Sequence, residues 1–226
     1  MNRREALRVL GCAAVTISGA ETTVSAAAQA AQGRSQRKQA LNRALIAAIR
    51  SHDAAAVRDL LGRGADANAR DLHAKPDRHG TVQPPPVREK PGALLIVFDD
   101  AQIETRKGIR RAQQATLRPD PAEIVKALLD SGADPNIYDY DQTFPLLDAV
   151  RYRYTASVRL LLLHHADPNQ TWVHGITPLH TAVGNRDIPI VKALLAAGAN
   201  PKAQSVFDNP AHPLSEEIAQ LLQPGT

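Results

Sequence analysis

The chain predicts an all-α fold, a solenoid of stacked helix-turn-helix repeats joined by β-turn loops. Three observations predict it. Asp134, Asp167 and Asn200 each close a Leu-Leu-x-x-[Gly/His]-Ala-[Asp/Asn] phrase, and successive anchors stand 33 residues apart. An earlier copy of the phrase closes at Asp66. Nine residues before each anchor stands a valine, and six and five before it stand paired leucines. Apolar groups at i, i+3 and i+4 share one helical stripe, which a neighbour must cover. A unit this short cannot bury its own stripe, so copies of it stack.

The second helix of each unit carries that stripe: Val57, Val125, Val158 and Val191, then Leu60 and Leu61, Leu128 and Leu129, Leu161 and Leu162, Leu194 and Leu195. Gly64, Gly132 and Gly198 follow, where a helix ending in a left-handed residue favours glycine. Repeat three places His165 there, and strain is expected at that cap. The first helix is read from Thr177, which suits an N-cap, and Pro178, which suits the first helical position. The same slots hold Phe144-Pro145-Leu146-Leu147 in repeat three and Arg43-Ala44-Leu45-Ile46 in repeat one. Ala48, Ala149 and Ala182 follow, small enough for the paired helices to approach closely.

Thr177-Pro178-Leu179-His180 with Gly198-Ala199-Asn200 resembles the ankyrin repeat. Gly64-Ala65-Asp66-Ala67-Asn68 and Gly132-Ala133-Asp134-Pro135-Asn136 repeat the second half of its phrase. The fold expected from this resemblance is an ankyrin-type solenoid over roughly residues 40–222. The resemblance also implies partner docking on loops and inner helix faces, and a local hydrogen bond from His180 that links loop to helix.

Asp66 and Asp134 are 68 residues apart, so repeat two carries two insertions. Its first helix is expected at Gly92–Phe98. The first insertion, 72–91, holds Pro84, Pro85 and Pro86 and favours an extended polyproline segment. The second, 102–120, is basic, with Arg106, Lys107, Arg110, Arg111 and Arg118. Insertions in repeat proteins map to loops and either modify a binding face or are tolerated growth. The repeats are then 41–71, 92–137, 138–170 and 171–203. A half-repeat cap at 210–223 has Ile218, Leu221 and Leu222 on one side and Glu216, Glu217 and Gln220 on the wet side.

Residues 1–30 read as an export signal. Arg3, Arg4, Leu7 and Arg8 resemble the twin-arginine type, and Ala6, where that type prefers phenylalanine, leaves the Sec route open. The apolar run from Val9 to Ala20 is too short for a membrane anchor. Residues 31–38 are expected as a flexible linker, and 39–226 as one repeat domain, monomeric and periplasmic or secreted. Cys12 is the only cysteine, so the chain beyond the signal has no thiol for catalysis or metal binding. The formal charge of +4 is too small to imply nucleic acid.

No phosphate loop, nucleophile elbow or His-Glu-x-x-His phrase is present, and neither an enzyme activity nor a cofactor is expected. His164, His165, His174 and His180 point several ways and predict no metal site. The recurring Asp and Asn residues are expected to satisfy backbone donors in tight turns. The expected partner is a protein. Its contacts are expected at Tyr138 and Tyr140 in one loop and at Trp172, Val173 and His174 in the next, with Arg151 and Tyr152 extending the same concave surface. The competing reading packs Trp172 over its neighbouring repeat. The function that follows is a non-catalytic protein-binding module. The alternatives are a secreted effector or toxin antagonist, and, further off, an enzyme that uses the insertions.

Overall fold

A computed structural model describes residues 31–70, 92–98, 119–138, 142–205, 216, 218 and 219. The expected signal, the interiors of both expected insertions, Tyr140 and most of the expected cap lie outside the described residues. The chain divides into two units, Met1–Leu41 and Asn42–Thr226. In the first unit the described residues, 31–41, are helical. This corrects the expectation of a flexible linker at 31–38. Alanine, glutamine, arginine and lysine fill that segment, all strong helix formers, and the lone Gly33 does not outweigh them.

The second unit opens with helical residues 42–50 (α1) and continues with α2 (Ala54–Gly62). Residues 93–98 form α3, at the position expected for the first helix of repeat two. There follow α4 (Ala122–Asp130), α5 (Pro145–Arg151), α6 (Thr155–Leu163), α7 (Pro178–Gly184) and α8 (Ile188–Ala196). The second helices form one row, α2 on α4, α4 on α6 and α6 on α8. The first helices α5 and α7 pack on each other, and each packs on its own second helix, α6 or α8. This is the stacked helix-turn-helix architecture that the 33-residue period predicts.

Burial follows the stripe. Val57, Val125, Val158 and Val191 are fully buried, as are Leu128, Leu161 and Leu194. The second leucine of each pair divides from the first: Leu61, Leu162 and Leu195 are half-buried, and of the four only Leu129 is buried. A step of one residue turns a helix by about 100°, so one leucine of a pair enters the core and the other lines its edge. Ala48, Ala149 and Ala182 are all buried. Phe98 of α3 is fully buried, and its ring stacks on Tyr154 of the next repeat at 6.3 Å.

The caps are those expected. Thr177 accepts a hydrogen bond from the His180 N–H, and Pro178 fills the first turn. The Thr177 N–H in turn donates to His180 Nδ1 at 3.1 Å, so histidine closes a capping box usually closed by a glutamate or glutamine. Gly64, Gly132 and Gly198 are left-handed (φ +92, +84 and +90), and His165 is forced to φ +66. The same strain recurs where it was not expected. The turns between paired helices pass through the left-handed region at His52, Arg153 and Arg186. A side chain there costs about 1–2 kcal/mol relative to the right-handed region.

The Asp residues close turns and the Asn residues hold the stack. Asp66, Asp134 and Asp167 each accept from the N–H two residues on, at 2.8–3.0 Å. The N–H groups of Ala69, Gln170 and Ala203 bond the carbonyls three residues back, which defines the expected β-turns. Asn68, Asn136 and Asn169 reach across to the next repeat. Their Nδ2 groups donate to the carbonyls of Gly132, His165 and Gly198. Their Oδ1 atoms accept from the N–H groups of Asp134, Asp167 and Asn200. Each asparagine thus satisfies the end of one helix and the start of the following loop together.

A second link joins repeats at the opposite helix ends. The N-cap of α6 is Tyr154, which offers no side-chain acceptor. Asp120, from the preceding repeat, takes over. Its carboxylate accepts from the N–H groups of Ala156 and Ser157 (2.8 and 3.2 Å) and from the fully buried Ser157 hydroxyl. The sequence reading puts Asp120 at the end of the second expected insertion, and it caps a helix in the next repeat. Arg70 and Gly92 pair as an isolated antiparallel bridge.

Candidate functional site

Helix α5 organises the expected contact residues. Phe144 is its N-cap and is fully buried, and Tyr138 from the preceding loop packs edge-on against that ring at 6.2 Å. Tyr138 nevertheless stays 49% exposed, so it offers one face while the other is held. At the far end of α5, Arg151 lies with Nη1 3.6 Å from Oδ1 of the buried Asp148. Its guanidinium carbon sits 4.1 Å from the centre of the Trp172 ring. Seven helical residues span about 10 Å, so the tyrosine and the arginine–tryptophan pair are separated by about that distance along α5.

Trp172 is half-buried, and the arginine over its ring brings together the two readings open from sequence. It packs on a neighbouring repeat and still presents surface. Its loop is built to hold it. The Trp172 N–H donates to the Ile176 carbonyl at 2.8 Å, and the Gly175 N–H donates to the Trp172 carbonyl at 3.1 Å. Val173–Gly175 form a 3₁₀ turn between them. His174 and Gly175 both have positive φ, and a Cβ on Gly175 would lie 3.0 Å from the Gln204 carbonyl oxygen. Glycine therefore lets this loop sit directly against the next one. Val173 is 37% exposed and His174 is exposed.

Tyr152 does not join this group. It is the C-cap of α5, and its ring lies 5.8 Å from Tyr154 in the turn toward α6. Arg151 and Tyr152 are adjacent in sequence, but the helix rotates between them and then ends, so they serve different surfaces. Tyr140 lies outside the described residues. Sequence reading missed Asp148, which is 2% exposed and stands beside Arg151. The available signal was an acidic residue on the otherwise apolar helix Pro145–Val150, three positions before an arginine.

The histidines are dispersed. His165 terminates a helix, His174 lies in the Trp172 loop and His180 closes the capping box. His164 is partly buried and turns back toward α4, with Nε2 3.5 Å from Asp130 Oδ1. The contact follows from the packing of α6 on α4. A hydrogen bond from Lys126 holds the Asp130 carboxyl below the ordinary aspartate range, and the charges of Lys126 and His164 act in the same direction. Among the described residues no three His, Cys, Asp or Glu side chains come together as a metal site. Among them, too, no helix is long and apolar enough to cross a membrane.

Paired helices in two rows joined by β-turn loops define a repeat module of the kind that serves protein–protein interaction. Residues 113–205 match the family model for ankyrin repeats (3 copies). B-cell lymphoma 3 protein homolog of Mus musculus is 30% identical over 152 residues, which is 64% of this chain and 33% of that protein. The chain thus spans about a third of the length of the curated relative it matches. Residues 113–205 are therefore ankyrin repeats.

Proposed function

We propose that this chain is an exported, non-catalytic docking protein that holds a partner protein against the loops and first helices of repeats two to four. The Arg151–Trp172 pair carries the reading. A guanidinium over an indole face contributes about 0.5–2 kcal/mol and restrains both side chains before any partner arrives. Less ordering remains to be done on binding, so more of the contact energy appears as affinity. Tryptophan, arginine and tyrosine are also the residues that most often dominate interface energetics. Tyr138 and Val173 add exposed apolar area on successive loops. The positively charged start of the chain, followed by a short apolar run, supports export, and on that reading the partner is periplasmic or outside the cell.

The test is capture from periplasmic extract with the wild-type chain and Trp172→Ala side by side, both shown to be folded by circular dichroism. The variant is expected to lose its specific partner by about tenfold or more, the scale of one interface anchor. Recovery of the same protein in equal yield would remove Trp172 from the docking surface.

A further inference from the structure

Helix α5 carries one acidic group in an apolar layer. Pro145, Leu146, Leu147, Ala149 and Val150 are all buried, and Asp148 in their midst is 2% exposed. A carboxylate withdrawn from water loses hydration that packing alone does not return. An apolar residue at this position would serve the stack at least as well. The use of Asp148 therefore lies in what it holds. Its Oδ1 stands 3.6 Å from Nη1 of Arg151, and the side chains are 3% and 29% exposed. The carboxylate is the buried member of the pair and the guanidinium the accessible one. Residues three apart on a helix are neighbours, so a rigid turn of α5 sets this distance. The same guanidinium lies over the Trp172 ring.

We propose that Asp148 is a positioning residue, which draws the Arg151 guanidinium inward and holds it over the Trp172 ring. An arginine near the end of a helix otherwise samples many rotamers, and its attraction to an indole lasts only while it lies over the face. With the carboxylate on one side and the ring on the other, arginine and tryptophan meet a partner as one preset unit. The proposal rests on the docking reading and deepens it, because it says what fixes the pair that the reading places at the contact. Without the carboxylate the guanidinium turns toward water, and the ring loses its cover.

Trp172 is the only tryptophan in the chain, so acrylamide quenching of tryptophan fluorescence reports on this ring alone. It is measured on the full chain and its variants, with folding checked by circular dichroism and urea titration. Arg151→Ala is expected to raise the quenching constant, because the cover is gone. Asp148→Asn keeps the shape without the charge, and Asp148→Leu continues the apolar face; each is expected to raise quenching to the Arg151→Ala level. Asp148→Leu is expected to do so with an unchanged or higher urea midpoint, which a merely structural carboxylate would not allow. Adding Arg151→Ala to either variant is expected to raise quenching no further, because both act through one contact. Leu161→Ala, a core truncation on α6, is expected to quench as the wild type does while folded. Wild-type quenching in both Asp148 variants, with Arg151→Ala raised, would overturn the proposal and leave the Arg151–Trp172 pair standing. Wild-type quenching in Arg151→Ala would remove the pair itself, and with it the observation that carries the docking reading.

Discussion

Replacing Leu161 by alanine is expected to lower the unfolding free energy by about 2–5 kcal/mol. Leu163→Ala, two residues along the same helix, is expected to change it by no more than about 0.5 kcal/mol. Leu161 is fully buried, and Leu163 is 73% exposed. The helix that carries them packs on α4, α5 and α8, so a cavity at Leu161 opens where two repeats and a helix pair meet. Total stabilities are typically about 5–15 kcal/mol, and one methyl-lined void here is a large share of that. Because stacked repeats are stabilised mainly by contacts with their neighbours, the loss falls on an interface the whole stack depends on. Urea titrations of both variants read the difference as a shift in midpoint at constant slope. Equal shifts would mean that the valine–leucine stripe is not what holds the repeats together.

Asp120→Ala is expected to cost about 2–4 kcal/mol, more than an ordinary cap. A lost cap alone costs about 1 kcal/mol. Here the buried Ser157 hydroxyl loses its acceptor as well, which adds a desolvation penalty of about 1–3 kcal/mol. Asp120→Asn keeps an acceptor oxygen and is expected to retain most of the stability. The double variant Asp120→Ala with Ser157→Ala should recover part of the loss, because the stranded hydroxyl is then removed. Additive losses in that cycle would mean that the two side chains are not coupled.

The helices and their caps were legible in the sequence because both are local. A valine, a leucine pair and a glycine at fixed offsets define a stripe and its end, and α2, α4, α6 and α8 follow them. Thr177-Pro178 marks the start of α7 for the same reason. What was not legible depends on stacking register. Asn136 reads as one more turn residue, and only the adjacent repeat reveals that it bonds His165 and Asp167. Asp120 lies 37 residues from Ser157 and is separated from it by α4, the following loop and α5. The clue available in advance was negative: an N-cap position filled by Tyr154, where Asp53 and Asp187 stand in other repeats.

The proposed contact residues divide the same way. Tyr138, Trp172 and Val173 stand out in the sequence because large apolar groups are unusual on loop tips. That Arg151 covers the Trp172 ring, while Tyr152 lies beside Tyr154, depends on side-chain direction at a helix end, which spacing alone does not carry. The left-handed turns at Arg153 and Arg186 were also hidden, because arginine there gives no signal of positive φ in the way glycine does.

Site-specific photocrosslinking tests the docking surface most directly. A photoreactive residue is placed at Val173, at Tyr138 or at Leu163, each exposed and so tolerant of replacement. Crosslinks from positions 173 and 138 to one and the same protein, with none from 163 on the second-helix face, are the predicted result. Crosslinking to that protein from 163 alone would contradict the account, and would move the partner to the row of second helices.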